Sequence, residues 1–281
     1  RRDWPSPNHP VLVCLQEIKV QDADFPAPDL EAIGYHSVFL GQKSYNGVAL
    51  LSRAELTEVR RGLPELGPDQ EARLISGRLG ELLVINAYVP QGREVGHPAF
   101  AAKLEFLARL RRLLEETCRP EQAVVLAGDL NVAPGPLDVY DPQRLEGQVG
   151  FHPDERQAFS RLLEWGLSDL FRQLNPEKRQ FTFWDYRLPK SFARDLGWRI
   201  DHLLVSPSLA QACSSCWVDI APRGREKPSD HTPLLAEFAI YTPAPPRAGA
   251  RLADPSCRPT AHAPLANARA GVARDRRRML P

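Results

Sequence analysis

The chain has 281 residues and a mass of 31.5 kDa, and its 43% hydrophobic and 25% charged residues are ordinary for a globular protein with a sizeable core. Its net charge is +1, but residues 1–242 carry 28 Lys and Arg against 33 Asp and Glu, so a bulk basic nucleic-acid footprint is excluded and any such face must be local. No apolar run approaches the roughly 20 residues that span a membrane, and the start lacks the hydrophobic core of a signal peptide, so we expect a cytoplasmic protein with no membrane partner.

The five cysteines are odd in number and scattered, which does not fit a secreted disulfide framework. Cys213 and Cys216 form a lone C-x-x-C pair. Because a zinc site needs four ligands and no second pair is present, we interpret both as structural thiols.

Hydrophobic runs predict a set of largely buried β-strands. In chain order they are residues 11–17, 48–52, 73–79, 82–89, 123–128, 200–206 and 234–240. Apolar residues spaced by three and four between Phe100 and Leu114 predict an amphipathic helix over 99–117. Pro153 and Gly166 suit the start and end of a second helix. Strand pairs mixed with isolated helices favour an α/β sandwich over a doubly wound sheet.

The composition divides the chain into three parts. Residues 1–10 form a leader, residues 11–242 a single domain, and residues 243–281 a tail that holds seven of the 27 prolines and no aromatic residue. The tail composition predicts disorder. Its end, Arg274-Asp-Arg-Arg-Arg278, could make loose, salt-sensitive contact with nucleic acid, or could be a solvated extension without function.

Polar side chains stand at or near the ends of four strand stretches, where a rigid sheet can present them on one shared rim. Each has an ordinary explanation on its own, as a capping acid, a turn or a loop pair. Asp201 is the exception, because an acid inside an apolar strand is costly unless it has a partner. Together they suit a hard divalent cation, an activated water and a phosphate ester. The set is Glu17, Asp129, Asn131, Asp201, Asp230 and His231.

A metal-dependent hydrolysis of a phosphate ester follows from this chemistry. Mg²⁺ prefers oxygen ligands and keeps several waters, so Glu17 is the first expected ligand. Asp129 is expected to orient and deprotonate the attacking water, and Asn131, two residues away on the same face, to hold water or phosphate. His231, held protonated by Asp201, would stabilise charge on the phosphorus oxygens.

Seven stretches, taken in order, resemble the exodeoxyribonuclease III family of the endonuclease/exonuclease/phosphatase superfamily. They cover roughly residues 11–240. The stretches are Leu15-Gln-Glu-Ile-Lys19, Gly41-Gln-Lys43 with Asn46-Gly-Val-Ala-Leu-Leu51, Asn86-Ala-Tyr-Val-Pro-Gln-Gly92, Gly128-Asp-Leu-Asn131, Phe181-Thr-Phe-Trp-Asp-Tyr-Arg187, Gly197-Trp-Arg-Ile-Asp201 and Lys227-Pro-Ser-Asp-His231.

The resemblance implies a four-layer α/β/β/α sandwich of two mixed sheets with helices outside, and dependence on Mg²⁺ or Mn²⁺. It also implies a monomer that acts on double-stranded DNA in base excision repair. Such enzymes incise 5′ to abasic sites, trim 3′ ends as exonucleases and remove 3′-phosphates.

Site residues carry over onto the matching positions. The resemblance assigns catalysis to Tyr88, Asp129, Asn131, Asp201 and His231, and metal binding to Glu17, Asp129, Asn131, Asp230 and His231. It assigns DNA contacts to Gln91 and Lys103. Phe183 and Trp184 are expected to form a small apolar wall that accepts a flipped-out sugar without a base, although Trp184 could equally be a core residue.

The chain departs from the family at its start. The family opens with a strand that carries a Trp-Asn dipeptide, whereas this chain begins Arg1-Arg-Asp-Trp-Pro5, and we expect the first strand and helix to be missing. One alternative is therefore a weakly active or inactive remnant that at most binds DNA. Another is a phosphoesterase of the same fold with a non-DNA substrate, against which residues 181–187 argue.

Overall fold

The computed structural model describes residues 10–64 and 70–239, so most of the predicted leader and the whole predicted tail lie outside the described residues. The strands are β1 (Leu12–Gln16), β2 (His36–Leu40), β3 (Val48–Ser52), β4 (Thr57–Arg61), β5 (Leu74–Leu79), β6 (Leu82–Tyr88), β7 (Val124–Asp129), β8 (Ser168–Asp169), β9 (Asp201–Val205), β10 (Cys213–Val218) and β11 (Leu234–Phe238). The α-helices are α1 (Ala27–Ala32), α2 (Pro98–Thr117), α3 (Pro142–Leu145), α4 (Pro153–Glu164), α5 (Leu170–Leu174) and α6 (Pro207–Ala212).

All seven predicted strands and both predicted helices are present in the described residues, with ends that shift by one or two residues. The residue predicted to end the last strand, Ile240, lies outside the described residues. Four strands were not predicted. β4 reads Thr-Glu-Val-Arg-Arg at the edge of a sheet, where its exposed charged residues hide the alternating pattern, and β8 has only two residues.

A six-stranded sheet in the order β4-β5-β6-β7-β9-β8 forms the centre of the fold. Strands β6 and β7 are parallel, and the other neighbours are antiparallel. Alternate residues of β6 face opposite sides, as in any strand. Ile85 and Ala87 pack against the long helix α2 and helix α4, whereas Val84 and Tyr88 face the smaller sheets.

Two smaller sheets cover the other face of the central sheet. One has the order β1-β3-β2 and the other pairs β10 with β11, and both contribute to the same apolar core. Phe25, Leu30 and Tyr35, on and around α1, pack on the outer side of the three-stranded sheet. The layers are therefore α/β/β/α, which confirms the predicted sandwich.

The second sheet layer differs from the expectation in one respect. It was expected to be a single mixed sheet, but it consists of two antiparallel sheets. The reason is that, among the described strands, none pairs with the outer edge of β1 or with the outer edge of β11.

The parallel pair β6 and β7 brings the carboxyl ends of both strands to one rim. Tyr88 lies opposite Asp129 in that pair, and Asp129 lies opposite Asp201 of β9. Gly128 is required here, because its φ is +134° and an added Cβ would lie 2.0 Å from the carbonyl oxygen of Ala87. The register therefore places three of the predicted site residues side by side.

Asn86 joins the two sheet layers below this rim. Its side chain is fully buried, and its Nδ2 donates to the carbonyl oxygens of Leu15 at 2.8 Å and Ala49 at 2.9 Å. The bonds anchor β1 over β6, so Glu17, the residue after β1, reaches the same rim. No helix in the described part of the chain is long and apolar enough to cross a membrane.

Candidate active site

His231 lies between two carboxylates at the centre of the rim. Its Nδ1 is 2.8 Å from Asp201 Oδ2, and its Nε2 is 3.9 Å from Asp129 Oδ2. The first distance is a hydrogen bond and the second is too long for one. The Nε2–H of a protonated imidazole is therefore available to another acceptor, such as a phosphate oxygen.

The charges at this site depend strongly on one another. Burial lowers the pKa of His231, but Asp201, Asp129 and Asp230 outweigh it and raise that pKa to about 10. Burial and the neighbouring Asp201 raise the pKa of Asp129 to about 7, against the opposing effects of His231 and Lys103. At neutral pH the site thus holds an imidazolium and a carboxylate that can accept a proton.

Asn131 holds the carboxylate of Asp129 from both its backbone and its side chain. Its backbone N–H donates to Asp129 Oδ1 at 2.8 Å, and its Nδ2 donates to Asp129 Oδ2 at 3.1 Å and to the carbonyl oxygen of Val89 at 2.9 Å. The residue adopts a left-handed conformation with φ +53°, which asparagine tolerates better than most residues. Its amide oxygen is left as the group that can bind water or a cation.

Glu17 lies at the more open side of the rim, with 40% of its side chain exposed. Tyr88 donates its hydroxyl to Glu17 Oε1, and the Lys19 ammonium lies 2.6 Å from Oε2. Burial raises the pKa of Glu17, but the hydrogen bonds from Lys19 and Tyr88 outweigh it and lower the pKa, so the carboxylate is ionised. Tyr88 keeps its proton, because burial and the bond to Glu17 raise its pKa.

The segment that contains Phe183 forms one wall of the site. Its backbone bridges to Trp198 on one side and to His231 on the other, and the Phe183 ring centroid lies 4.8 Å from that of His231. The Thr182 hydroxyl accepts from the backbone N–H of Asp201 at 3.2 Å. Phe183 therefore presents a half-buried apolar ring beside His231.

Two predicted substrate contacts need correction. Lys103 is fully buried, and its ammonium bonds to Glu155 and to backbone carbonyls instead of facing solvent. Trp184 is 1% exposed, packs against Phe181 and Phe192, and donates its Nε1–H to Asp195 Oδ1 at 3.3 Å. Trp184 is thus a core residue, as the alternative interpretation had it, and the apolar wall is formed by Phe183 with Trp198.

The remaining predicted residues are at or near the site. Gln91 is exposed in the turn after β6 and accepts from the backbone N–H of Arg93. Asp230 is half-buried next to His231 and contributes to the rise of its pKa. Among the described residues, the group of possible metal-ligand atoms that lie within 4.8 Å of one another is Asp129, Asp201 and His231, without Glu17.

Sequence reasoning missed a buried ionic network behind Asp201. Arg199 is fully buried and bonds to Asp138 Oδ1 at 2.7 Å and to both oxygens of Asp169 at 2.7 and 3.0 Å. His202 lies 3.2 Å from Arg199 through Nδ1 and 2.8 Å from the carbonyl oxygen of Val132 through Nε2. The available signal was a charged residue between the apolar residues Trp198 and Ile200.

A second missed residue, Arg223, anchors the loop that precedes His231. Its guanidinium donates to the carbonyl oxygen of Ser229 and lies over the rings of Trp184, Tyr186 and Phe192 at 5.8, 5.6 and 5.0 Å. The arrangement joins the loop carrying His231 to the aromatic segment that follows Phe183. Nothing in the local sequence distinguishes Arg223 from its neighbour Arg225.

Comparison with known proteins places this geometry in a family. The sequence profile of the Endonuclease/Exonuclease/phosphatase family matches residues 2–231. The chain is 42% identical over 241 residues to exodeoxyribonuclease III from Haemophilus influenzae, which covers 82% of this chain and 90% of that protein. It is 31% identical over 246 residues to the DNA repair nuclease APEX1 from Danio rerio, across 85% of this chain and 76% of that protein.

Solved structures show the same likeness. An AP endonuclease from Archaeoglobus fulgidus superposes with a TM-score of 0.82 at 43% identity, covering 85% of this chain and 93% of that one. A variant of the 3′ phosphatase NExo from Neisseria, bound to a product DNA hairpin, gives a TM-score of 0.78 at 41% identity, with 82% and 89% covered.

Proposed function

The chain belongs to the endonuclease/exonuclease/phosphatase family and is a nuclease of the exodeoxyribonuclease III type, and we propose that it incises double-stranded DNA 5′ to abasic sites. We further propose that the same site removes nucleotides and phosphates from 3′ ends. These activities share one reaction, the attack of water on a phosphate ester. Proteins named for an AP endonuclease and for a 3′ phosphatase activity are both among its structural relatives.

The observation that supports this proposal most directly is the Asp129–His231–Asp201 arrangement. It provides a proton acceptor and a cation whose nearest atoms are 3.9 Å apart, at a rim where an apolar ring lies beside them. Phosphate hydrolysis needs both groups, since one must take a proton from water while the other neutralises charge on the phosphoryl oxygens.

The residues at the rim also fit a divalent cation. Glu17 supplies an ionised carboxylate that already holds a cation, the Lys19 ammonium, at 2.6 Å, and the carboxylate of Asp129 and the amide of Asn131 supply further oxygens. Oxygen donors of this kind suit Mg²⁺ or Mn²⁺. We propose Glu17, Asp129 and Asn131 as the ligands, with Asp230 beside them. The cation would supply Lewis-acid polarisation of a phosphate oxygen.

His231 is the least suitable of the predicted ligands. A metal ligand must offer a lone pair, whereas His231 is held as an imidazolium by Asp201. Its proposed role is to donate Nε2–H to a non-bridging oxygen of the scissile phosphate. Asp129 then accepts the proton of the attacking water, and Tyr88 is placed to contact the phosphate through its hydroxyl.

The apolar wall explains the proposed preference for abasic DNA. Phe183 presents its half-buried ring next to His231, and its backbone pairs with that of Trp198. A sugar without a base can be turned towards such a ring at lower cost than an intact, stacked nucleotide. We further propose that the enzyme acts as a monomer in the cytoplasm.

A panel of phosphate esters tests the proposal. A duplex with one abasic site, a duplex with a 3′-phosphate, an RNA hairpin and an inositol phosphate are incubated with the protein and Mg²⁺. We expect cleavage of the two DNA substrates and at least about 100-fold slower reaction with the others, the size of one lost transition-state contact. Faster hydrolysis of the inositol phosphate would assign the site to a non-DNA phosphoesterase.

A second candidate is a protein that binds DNA but cleaves it weakly or not at all. The observation that favours it is that β1 and β11 each end a small sheet with no strand paired to the outer edge in the described part of the chain. Unpaired edges of this kind weaken a sheet. Binding of the abasic duplex without cleavage, by protein with folded circular dichroism, would support this candidate.

A further inference from the structure

Lys103 occupies an unusual place for a lysine beside a phosphate site. It lies on the buried face of α2, three residues after Phe100 and four before Leu107, and its side chain is fully buried. Its ammonium contacts three acceptors, which are a carboxylate oxygen of Glu155, the carbonyl oxygen of Asn131 at 2.7 Å and that of Gln91 at 3.2 Å. Because an ammonium has three N–H groups, no donor is left for DNA.

Both carboxylate oxygens of Glu155 also have hydrogen-bond donors. One carboxylate oxygen accepts from Lys103, and the other accepts from the backbone N–H groups of Gly150 at 2.7 Å and His152 at 3.0 Å. Glu155 is fully buried near the start of α4. A buried ion pair is costly unless every remaining polar group is satisfied, and here the two side chains satisfy each other and four backbone groups.

The contacts of Lys103 connect the two turns that leave the central parallel strands. Gln91 lies in the turn after β6, where Gly92 has φ +99° and an added Cβ would lie 3.1 Å from Lys103 Cδ. Asn131 lies in the turn after β7. The hydrogen bonds form a closed ring. The backbone N–H of Ala133, in the second turn, donates to the carbonyl oxygen of Gly150 at 2.7 Å, and the N–H of Gly150 donates to Glu155.

We propose that Lys103, paired with Glu155, is a positioning residue that sets the geometry of Asp129 through Asn131 and does not contact DNA. The inference rests on the proposed function, in which Asp129 activates water. Lys103 holds the Asn131 carbonyl oxygen, while the N–H and side chain of Asn131 hold the Asp129 carboxylate. Release of that carbonyl frees a left-handed residue to turn, and the carboxylate turns with it.

The test compares two variants of the full chain with a control. Lys103→Met removes the ammonium but leaves the buried Glu155 carboxylate without its counter-charge, which can prevent folding. The variant Lys103→Met/Glu155→Gln removes both charges and keeps an amide oxygen for Gly150 and His152. Lys178→Met is the matched control, because it removes an exposed lysine outside the site.

Three quantities are measured for each protein with an abasic duplex and Mg²⁺, at a temperature well below the melting transition. They are the single-turnover rate at saturating enzyme, the Kd in EDTA, and the slope of log Kd against log salt concentration. The fraction of folded protein is measured by circular dichroism and used to normalise the rates. A purely structural role would change only that fraction.

We expect the double variant to lose about 100-fold in the normalised rate, the cost of a misplaced catalytic group, with Kd within about threefold of the parent and an unchanged salt slope. A salt slope reduced by about one, together with a weaker Kd and a normal rate, would show a phosphate contact and overturn the inference. A normalised rate equal to that of Lys178→Met would also overturn it, since the pair would then serve folding alone.

The failure of the proposed function gives a different result. If the parent chain does not cleave the duplex, no ratio can be formed and the assignment of Asp129 to water activation is at fault. If the parent and the double variant cleave the duplex equally well, the proposed nuclease function is supported, but Lys103 does not position Asp129.

Discussion

At the scale of single residues, the site combines groups that the sequence revealed with groups that only the fold brings together. Asp129 and Asp201 lie at strand ends and His231 precedes the last strand, so their proximity was predictable. The register of β7 and β9 places the two carboxylates side by side, and a backbone bridge to Phe183 places His231. Lys103 was misassigned to the surface, although its spacing from Phe100 and Leu107 places it on the apolar face of α2. The helical spacing of the apolar residues therefore indicates that Lys103 is buried, whereas its match to the family motif had suggested a contact with DNA.

The variant Asp129→Asn tests the assignment of the proton acceptor. An amide has nearly the same shape but cannot accept a proton from water, so we expect cleavage to fall by at least about 1,000-fold, within the range for loss of a general base. DNA binding, measured by fluorescence anisotropy in EDTA, should survive. Cleavage at the parental rate would show that another group activates the water.

The variant His231→Ala tests the assignment of the cation. Its imidazolium is expected to stabilise charge on the phosphoryl oxygens, so its removal should cost about 100- to 1,000-fold in rate, as for loss of one transition-state donor. The readout is the single-turnover rate on the abasic duplex. A loss confined to Kd, with a normal rate at saturation, would instead make His231 a binding residue.

At the scale of elements, the strands position the reacting groups and the loops behind them keep those groups in place. The hydrophobic runs predicted the strands β6, β7 and β9, but not that β7 pairs with both of the others. The partners of Arg199 were not predicted either, because Asp138 and Asp169 come from separate segments that are 61 and 30 residues away. Local patterns carry no information on such contacts, which are set by packing.

The network around Arg199 predicts a pH dependence of stability. Burial raises the pKa of Asp169, but Arg199 and His202 outweigh it and hold the pKa well below its usual range. Because the folded-state pKa lies below the unfolded value of about 3.9, the pair stabilises the fold at neutral pH, and this contribution is lost as the pH falls below about 4.

The variant Asp169→Asn measures that contribution. At pH 7 it leaves a buried guanidinium short of a partner, so the free energy of unfolding should fall by about 3 kcal/mol or more in urea denaturation. The difference from the parent should shrink as the pH is lowered from 5 to 3, since Asp169 of the unfolded parent then binds a proton that the folded ion pair does not, which favours unfolding. A difference that is constant over this range would contradict the ion-pair account.

The contacts of Arg223 with Ser229 and the aromatic rings predict that this residue positions the loop that carries His231. The variant Arg223→Met removes the bond to the Ser229 carbonyl oxygen while keeping an apolar chain against the aromatic rings. We expect kcat to fall by about tenfold through misplacement of His231, with little change in DNA affinity. Arg225→Met, two residues away and exposed, is the control and should keep the parental kcat. Equal kcat values for both variants would show that Arg223 does not position His231.

At the scale of the whole molecule, two sheet layers packed face to face carry the site at one rim. The sandwich architecture was predictable from the order of strands and helices, and the residues of β6 alternate between the two cores as a buried central strand should. The division of the second layer into two sheets was not predictable, because it depends on which strand edges meet. Residues 1–242 carry more acidic than basic residues, while cations lie at the rim. This distribution fits a nuclease whose affinity for DNA depends mainly on groups near the site.

The measurement that tests the central claim most directly uses a short duplex with one synthetic abasic site, incubated with the protein in Mg²⁺ and in EDTA. The account predicts a single cut 5′ to the lesion in Mg²⁺ and none in EDTA. Folded protein that binds the duplex but leaves it uncut in Mg²⁺, or that cuts it equally well in EDTA, would contradict the account.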